Sequence, residues 1–268
     1  VPADRSALEA RKGELQFPVL LKPMESHAWK AKPIVELLGV GTKVIPCADA
    51  DQLLEQYDRV AAHDPRLIVQ EVVPGDDERL VYVCVYFGRD GACLGAFAGR
   101  KPRVLPPGLG SASYAYTFHD PVLIDAARRL CEGVGYRGLG GIEFKLDPRD
   151  DTYKLIEFNV RFGLWDALGA RHGVNLALLA WRDAQGLPVE PAFACREGAS
   201  WCSFQRDLSA FKLYRRQGTL GLGTWLRSLL AVDMWAVFAW DDPKPWLTET
   251  PGYVWSRIAP RIGLGKGR

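Results

Sequence analysis

Gly141-Ile-Glu-Phe-Lys-Leu-Asp-Pro-Arg-Asp-Asp-Thr-Tyr-Lys-Leu-Ile-Glu-Phe-Asn-Val-Arg161 consists of two apolar-rich runs on either side of a turn built from Asp147, Pro148, Arg149, Asp150 and Asp151. Alternation around Pro/Asp turn chemistry predicts a β-hairpin. Glu157 and Asn159 are two residues apart and so share a face of the strand. Glu143 and Glu157 lie equally far from Asp150, so a hairpin centred there sets them opposite each other, with Cβ atoms about 4.5–5.5 Å apart. Carboxylates that close repel unless a cation lies between them. Two carboxylates and an amide oxygen are hard ligands of the kind Mg²⁺ uses while phosphates and water complete its octahedron. The alternative is a solvated face whose charges pair with Lys145 and Lys154.

Outward from the hairpin, the chain has 268 residues, 48% hydrophobic and 25% charged, with a net charge of +2. This is an ordinary composition for one large domain or two modest ones. So small a net charge gives no footprint of a nucleic-acid binder. Six cysteines (47, 84, 93, 131, 195, 202) form no C-x-x-C pair, which argues for reduced thiols in a cytoplasmic setting. Cys84 and Cys93 could face each other across the Gly88–Gly91 turn, and are read as reduced strand residues. The four histidines show no metal-ligand spacing. Val1-Pro2-Ala3-Asp4 has no secretory pattern and no starting Met, consistent with a fragment or a processed product.

Asp4 caps a helix that stops near Lys12-Gly13. Phe17–Pro23 is a short strand ending in Lys22, a position suited to phosphate neutralisation or to an exposed edge. The following loop, 24–32, has no glycine and is not a Walker loop. A strand is predicted at Lys43–Ile45, a capped helix at Asp49–Ala62, a strand at Leu67–Val73, and a strand at Arg79–Phe87 that turns at Gly88–Gly91 and returns as Ala92–Gly99. Arg100-Lys101-Pro102-Arg103 reads as a cationic cluster leaving that strand. Residues 106–118, rich in Gly, Pro, Ser and Tyr, read as a loop able to cover a site. Pro121–Val134 is an amphipathic helix and Leu176–Asp183 another.

Beyond residue 195 the chain is rich in Trp and Arg. Leu220–Trp240 is its most membrane-like stretch, but Arg227 and Asp233 interrupt it, which favours a buried or amphipathic helix over a spanning one. Trp225, Trp235, Trp240, Trp246 and Trp255 leave peripheral contact with a membrane or protein open. A homodimer is also left open.

In this order and spacing, the pieces Phe17–Pro23, Gln70-Glu-Val-Val-Pro-Gly-Asp-Asp-Glu78, Arg100-Lys101, Gly141–Lys145 and Ile156–Arg161 resemble the ATP-grasp superfamily, in particular its carboxylate–amine ligase-like members. The resemblance covers roughly residues 1–190. It implies an α+β fold in which two lobes with mostly antiparallel sheets, 1–73 and 74–190, clasp ATP. A Trp-rich C-terminal extension, 191–268, is expected to pack on the second lobe. A Rossmann-like domain commonly precedes these lobes in the family, and this chain is expected to lack it.

Carried over residue by residue, Lys22 matches the lysine on the nucleotide phosphates. Glu71, Val72 and Val73 match the hinge that meets adenine largely through backbone atoms, and Glu78 the acid on the ribose hydroxyls. Lys101, with Arg100 as the other alignment, matches the phosphate-side cation. Glu143, Glu157 and Asn159 match the Mg²⁺ ligands, and Arg161 the arginine facing the γ-phosphate or an acyl phosphate. The implied cofactors are ATP and Mg²⁺; the implied substrates are a small-molecule carboxylate and an amine. The implied activity is an ADP-forming ligation, and the alternative is a catalytically incomplete nucleotide-binding module. Val160 stands where the family usually has Pro, and Ser26-His27-Ala28-Trp29 where its loop is often Gly/Ser-rich.

Overall fold

The computed structural model describes residues 1–248 together with Thr250 and Gly252. The chain divides into two compact units, Val1–Pro74 and one that begins at Gly75.

The first unit holds α1 (Arg5–Arg11), β1 (Val19–Pro23), α2 (Lys32–Leu38), β2 (Ile45–Cys47), α3 (Ala50–Ala61) and β3 (Leu67–Glu71). Its three-stranded antiparallel sheet runs β2-β1-β3. Asp4 and Asp49 cap α1 and α3 by accepting from the backbone N–H of Ala7 and Gln52, at 2.8 and 2.9 Å. Leu53, Leu54, Tyr57 and Val60 form the apolar stripe of α3 and pack with Val19 and Leu21 of β1. Strand β2 starts two residues later than the sequence predicts. The Thr42 hydroxyl donates to the Leu38 carbonyl at 2.8 Å and closes the end of α2, so the chain is still turning there. The loop after Lys22 is built around Trp29, which is buried and donates through Nε1 to Asp64 at 3.1 Å.

The second unit holds β4 (Leu80–Phe87), β5 (Cys93–Leu105), β6 (Ser111–Phe118), α4 (Pro121–Gly133), β7 (Gly138–Asp147), β8 (Thr152–Asn159), α5 (Asp166–Arg171), α6 (Leu176–Ala184), β9 (Ser200–Cys202), α7 (Phe204–Arg216), α8 (Leu222–Leu230) and β10 (Met234–Trp235). Seven strands form one sheet, ordered β10-β9-β6-β5-β4-β7-β8, in which only the β9–β10 pair is parallel. Strand β4 is buried on both faces. Val81, Val83, Val85 and Phe87 meet Leu123, Ala127 and Cys131 of α4. Tyr82, Cys84 and Tyr86 meet Leu168 of α5 and Leu176 and Leu179 of α6. These two faces separate the site side of the sheet from its structural side.

Five local expectations are corrected. The cationic cluster does not leave its strand: β5 runs through it to Leu105, with Lys101 and Arg103 buried. Residues 106–118 are not one loop, because β6 occupies Ser111–Phe118, where small and aromatic residues alternate. Cys84 pairs in register with Phe97, and Cys93 with Phe87, so the two cysteines do not face each other. The turn is longer than predicted, with Gly91 at φ 93° and Gly88 N–H bonded to the Ala92 carbonyl. All six thiols are free. Finally, Leu220–Trp240 is not one helix: α8 ends at Leu230, and the chain then forms edge strand β10.

Beyond residue 190, β9 pairs with β6 and extends the sheet. Trp225 is buried and stacks on Phe211 at 4.3 Å, whereas Trp240 is exposed. Trp255 lies outside the described residues. Among the described residues no helix is long and apolar enough to cross a membrane.

Candidate functional site

Strands β7 and β8 form the hairpin, and Glu143 and Glu157 are register partners in it. The route to that register differs from the symmetric reading. Asp147 pairs with Thr152 and Phe144 with Leu155, a turn centred half a residue before Asp150. A bulge between Glu143 and Phe144 then absorbs Ile156 and brings Glu157 opposite Glu143. Without it, Glu157 would fall on the other face of the pleat.

Glu143 also pairs with Tyr82, and Asn159 with Gly141, which in turn pairs with Cys84. The three oxygen-bearing side chains therefore lie on the Tyr82–Cys84 face, away from α4. Glu157 is exposed and Asn159 half-buried. Gly141 is required by what lies over it: a Cβ there would fall 1.7 Å from the Tyr82 hydroxyl.

The lysines that would make this a solvated, self-neutralised face are engaged elsewhere. Lys145 is buried and donates to the Gly75 carbonyl at 2.7 Å, and Lys154 pairs with Asp150 at 2.6 Å. The cation that meets the hairpin is Lys101, with Nζ 2.5 Å from Glu143 Oε2 and 5.5 Å from the centre of the Tyr82 ring. Arg100 lies over the ring of Phe118 and donates to the Glu78 carbonyl at 2.8 Å. Of the two aligned cations, Lys101 reaches the Glu143 carboxylate.

Arg161 follows Asn159 by two positions, is exposed, and donates to the Phe162 carbonyl at 3.0 Å. Glu78 is exposed on a 3-10 helix, Asp77–Arg79, that leads into β4. In the first unit, Lys22 sits near the end of β1 and donates to the neutral Gln70 side chain at 2.5 Å. Glu71 ends β3, the Val72 N–H donates to the Pro18 carbonyl at 3.1 Å, and Val73 is buried.

Three residues about this site were not singled out from sequence. Tyr82 orders Lys101 and covers Gly141; its place two positions before Cys84 on an alternating strand is the signal that could have found it. Burial pushes its hydroxyl pKa well up, so it stays neutral. Asp166 holds the segment after Arg161 by accepting from Gly163 N–H at 2.8 Å and from the Cys84 thiol at 3.0 Å. Burial raises the Asp166 pKa. Asp77, one residue before Glu78, is buried and bonded on both carboxylate oxygens. Neither acid carries a sequence pattern of its own: Cys84 lies 82 positions from Asp166, and Tyr214 lies 137 positions from Asp77.

Among the described residues no three His, Cys, Asp or Glu side chains are grouped to hold a metal ion. Glu143, Glu157 and Asn159 supply two carboxylates and one amide oxygen, all hard donors. That set fits an Mg²⁺ ion whose remaining ligands are phosphate oxygens and water, and does not fit a fully protein-caged transition metal.

The ATP-binding domain model of the carbamoyl-phosphate synthase L chain matches residues 118–191, which include the whole hairpin. The D-aspartate ligase of Enterococcus faecium is 28% identical over 178 residues, covering 63% of this chain and 40% of that protein. Among solved structures, the biotin carboxylase domain of Hydrogenobacter thermophilus 2-oxoglutarate carboxylase, in complex with MgADP, ADP and bicarbonate, is similar over 75% of this chain and 44% of its own. Its TM-score is 0.55 at 15% identity. Campylobacter jejuni biotin carboxylase aligns over 74% of this chain and 44% of its own, with TM-score 0.53 at 15% identity. This chain thus spans less than half the length of each of these relatives. Its fold is the ATP-grasp fold, an α+β arrangement of antiparallel and mixed sheets.

Proposed function

We propose that the protein is an ATP- and Mg²⁺-dependent ligase that activates a carboxylate as an acyl phosphate for attack by an amine. The observation that carries this is the register pairing of Glu143 with Glu157, with Asn159 on the same face and Lys101 against Glu143. Phosphoryl transfer needs positioning and charge neutralisation more than side-chain acid–base chemistry. Among the described residues the site is rich in charge, and its one thiol, Cys84, is buried and bonded to Asp166, which suits a substrate carboxylate as the attacking group.

The first unit is assigned Lys22 for the phosphates and Glu71, Val72 and Val73 for adenine. The second is assigned Glu78 for the ribose hydroxyls, Lys101 and Arg161 for the transferring phosphoryl group, and Glu143, Glu157 and Asn159 for Mg²⁺. When bound, Mg²⁺ supplies Lewis-acid neutralisation of phosphate charge. Lys101, held between the Glu143 carboxylate and the Tyr82 ring, offers a pre-oriented positive charge. Arg161 offers a planar fork to phosphate oxygens. A substrate carboxylate oxygen attacks the γ-phosphorus and ADP leaves. The amine then attacks the acyl carbon and phosphate leaves, so that ATP, carboxylate and amine give amide, ADP and phosphate.

The likeness to a D-aspartate ligase supports an amino acid as one substrate. The test is ADP release by the purified protein with pools of amino acids, D-aspartate among them, and carboxylic acids. ADP release stimulated by one pair is the expected result. No stimulation by any pool, in a chain including whatever sequence adjoins this one, contradicts the proposal.

A further inference from the structure

Glu78 stands on a short segment, Gly75–Arg79, that has little regular structure of its own yet is held from several directions. Lys145 of β7 bonds the Gly75 carbonyl, and Arg100 of β5 bonds the Glu78 carbonyl. The third hold is Asp77. Its carboxylate accepts from the Gly108 N–H at 3.0 and 3.1 Å and from the Tyr214 hydroxyl at 2.5 Å. Tyr214 lies on α7, beyond the part of the chain that the family resemblance covers. Its hydroxyl also accepts from the Val104 N–H at 3.0 Å, so one oxygen joins β5 to the Glu78 segment.

Helix α7 is itself fixed against the sheet. Asp207, fully buried and seven residues before Tyr214, accepts from Arg103 through Nε and Nη2 at 2.7 and 2.9 Å. It also accepts from the Ser113 hydroxyl at 2.9 Å and from Trp225 Nε1 at 2.8 Å. Two turns of helix separate Asp207 from Tyr214, so both point from the same face of α7. A buried carboxylate with every partner in place is rigid, because any displacement leaves a charge unpaired. The rigidity extends from Asp207 through α7 to Tyr214, and from there to the residue next to Glu78.

We infer that Tyr214 and Asp77 are positioning residues for Glu78, and that α7 is thereby a working part of the nucleotide site, setting affinity for the ribose of ATP. This rests on the assignment of Glu78 to the ribose hydroxyls. Burial raises the Tyr214 pKa, which keeps its hydroxyl protonated and donating to Asp77.

The experiment compares binding of MgATP and of its dideoxy analogue, which lacks the ribose hydroxyls, to the full chain by titration calorimetry. Wild type is expected to prefer ATP, and Glu78→Gln to erase that preference. Tyr214→Phe, which removes only the hydroxyl, is expected to weaken ATP about tenfold, the scale of one hydrogen bond to a charged group. The dideoxy analogue should bind Tyr214→Phe as it binds wild type. A merely structural role would weaken both ligands alike. If circular dichroism shows Tyr214→Phe unfolded, Asp77→Asn is judged by the same ratio. A wild-type ratio in these variants, with the ratio lost in Glu78→Gln, overturns the positioning role alone. No preference for ATP in wild type overturns the ribose assignment and the inference with it.

Discussion

The ammonium of Lys101 lies 2.5 Å from a carboxylate oxygen of Glu143, with the lysine side chain only 4% exposed and the glutamate 16%. A pair so far removed from water interacts strongly and is little screened by salt. The lysine holds Glu143 in place before any ligand arrives. The carboxylate is therefore already aimed from the sheet, while its register partner Glu157 remains open to solvent.

Lys101→Met should lower turnover by about 10²-fold or more, the scale of losing one pre-oriented charge on a developing phosphoryl group. The same variant should bind Mn²⁺ more tightly in the absence of nucleotide, because Glu143 no longer shares its charge with a lysine. Arg100→Met, on the Phe118 side of the sheet, should cost less than about tenfold. Steady-state kinetics and Mn²⁺ titration followed by electron paramagnetic resonance check both. Equal losses in the two variants would contradict the preference for Lys101.

Glu157→Gln should abolish Mg-ATP turnover, falling by about 10²-fold or more, while the thermal midpoint stays at the wild-type value. The side chain is exposed, so the fold does not depend on its charge. Turnover within a few-fold of wild type would remove Glu157 from the metal set.

Gly141→Ala tests the packing beneath the site. The new methyl would fall 1.7 Å from the Tyr82 hydroxyl and 2.1 Å from the ring carbon that bears it. Overpacking of this kind costs about 1–3 kcal/mol, and here it also moves the ring against which Lys101 rests. A lower denaturant midpoint together with reduced turnover is expected; an unchanged midpoint would show that Tyr82 moves freely.

Acid titration tests the hairpin turn. Asp147 accepts from the Arg149 guanidinium at 2.5 to 3.1 Å and from its backbone N–H at 2.9 Å. These bonds hold its pKa down at about 2. A carboxylate depressed on folding stabilises the fold fully above its ordinary pKa of about 3.9, and that contribution is lost as pH falls through the folded value. Asp147→Asn should therefore be less stable than wild type at neutral pH, and the two should converge as pH falls toward 2. A constant difference across the range would show that the ion pair contributes nothing to the pH dependence.

The hairpin was legible because its information is local. Alternation and the Asp-Pro turn lie within twenty-odd residues, and the bulge at Ile156 happens to restore the pairing that a symmetric turn predicts. The cations that serve the site were harder to place. Lys101 and Arg103 read as part of a cationic cluster leaving the strand because their partners are distant: Asp207 is 104 positions from Arg103. Strand β6 was hidden for a related reason. Its serines look like loop residues until Ser113 is seen bonded to the same Asp207. The part played by α7 has no local signature either, since Asp207 and Tyr214 are ordinary helix residues until the sheet they bond to is known.

Transfer of labelled oxygen is the most direct test of carboxylate activation. With the substrate carboxylate enriched in heavy oxygen and the amine present, one labelled oxygen should appear in the released inorganic phosphate for each amide formed, because the carboxylate oxygen that attacks the γ-phosphorus leaves with it. Inorganic phosphate carrying no label, with ADP still released, would show that water takes the phosphoryl group and would contradict the proposed ligase.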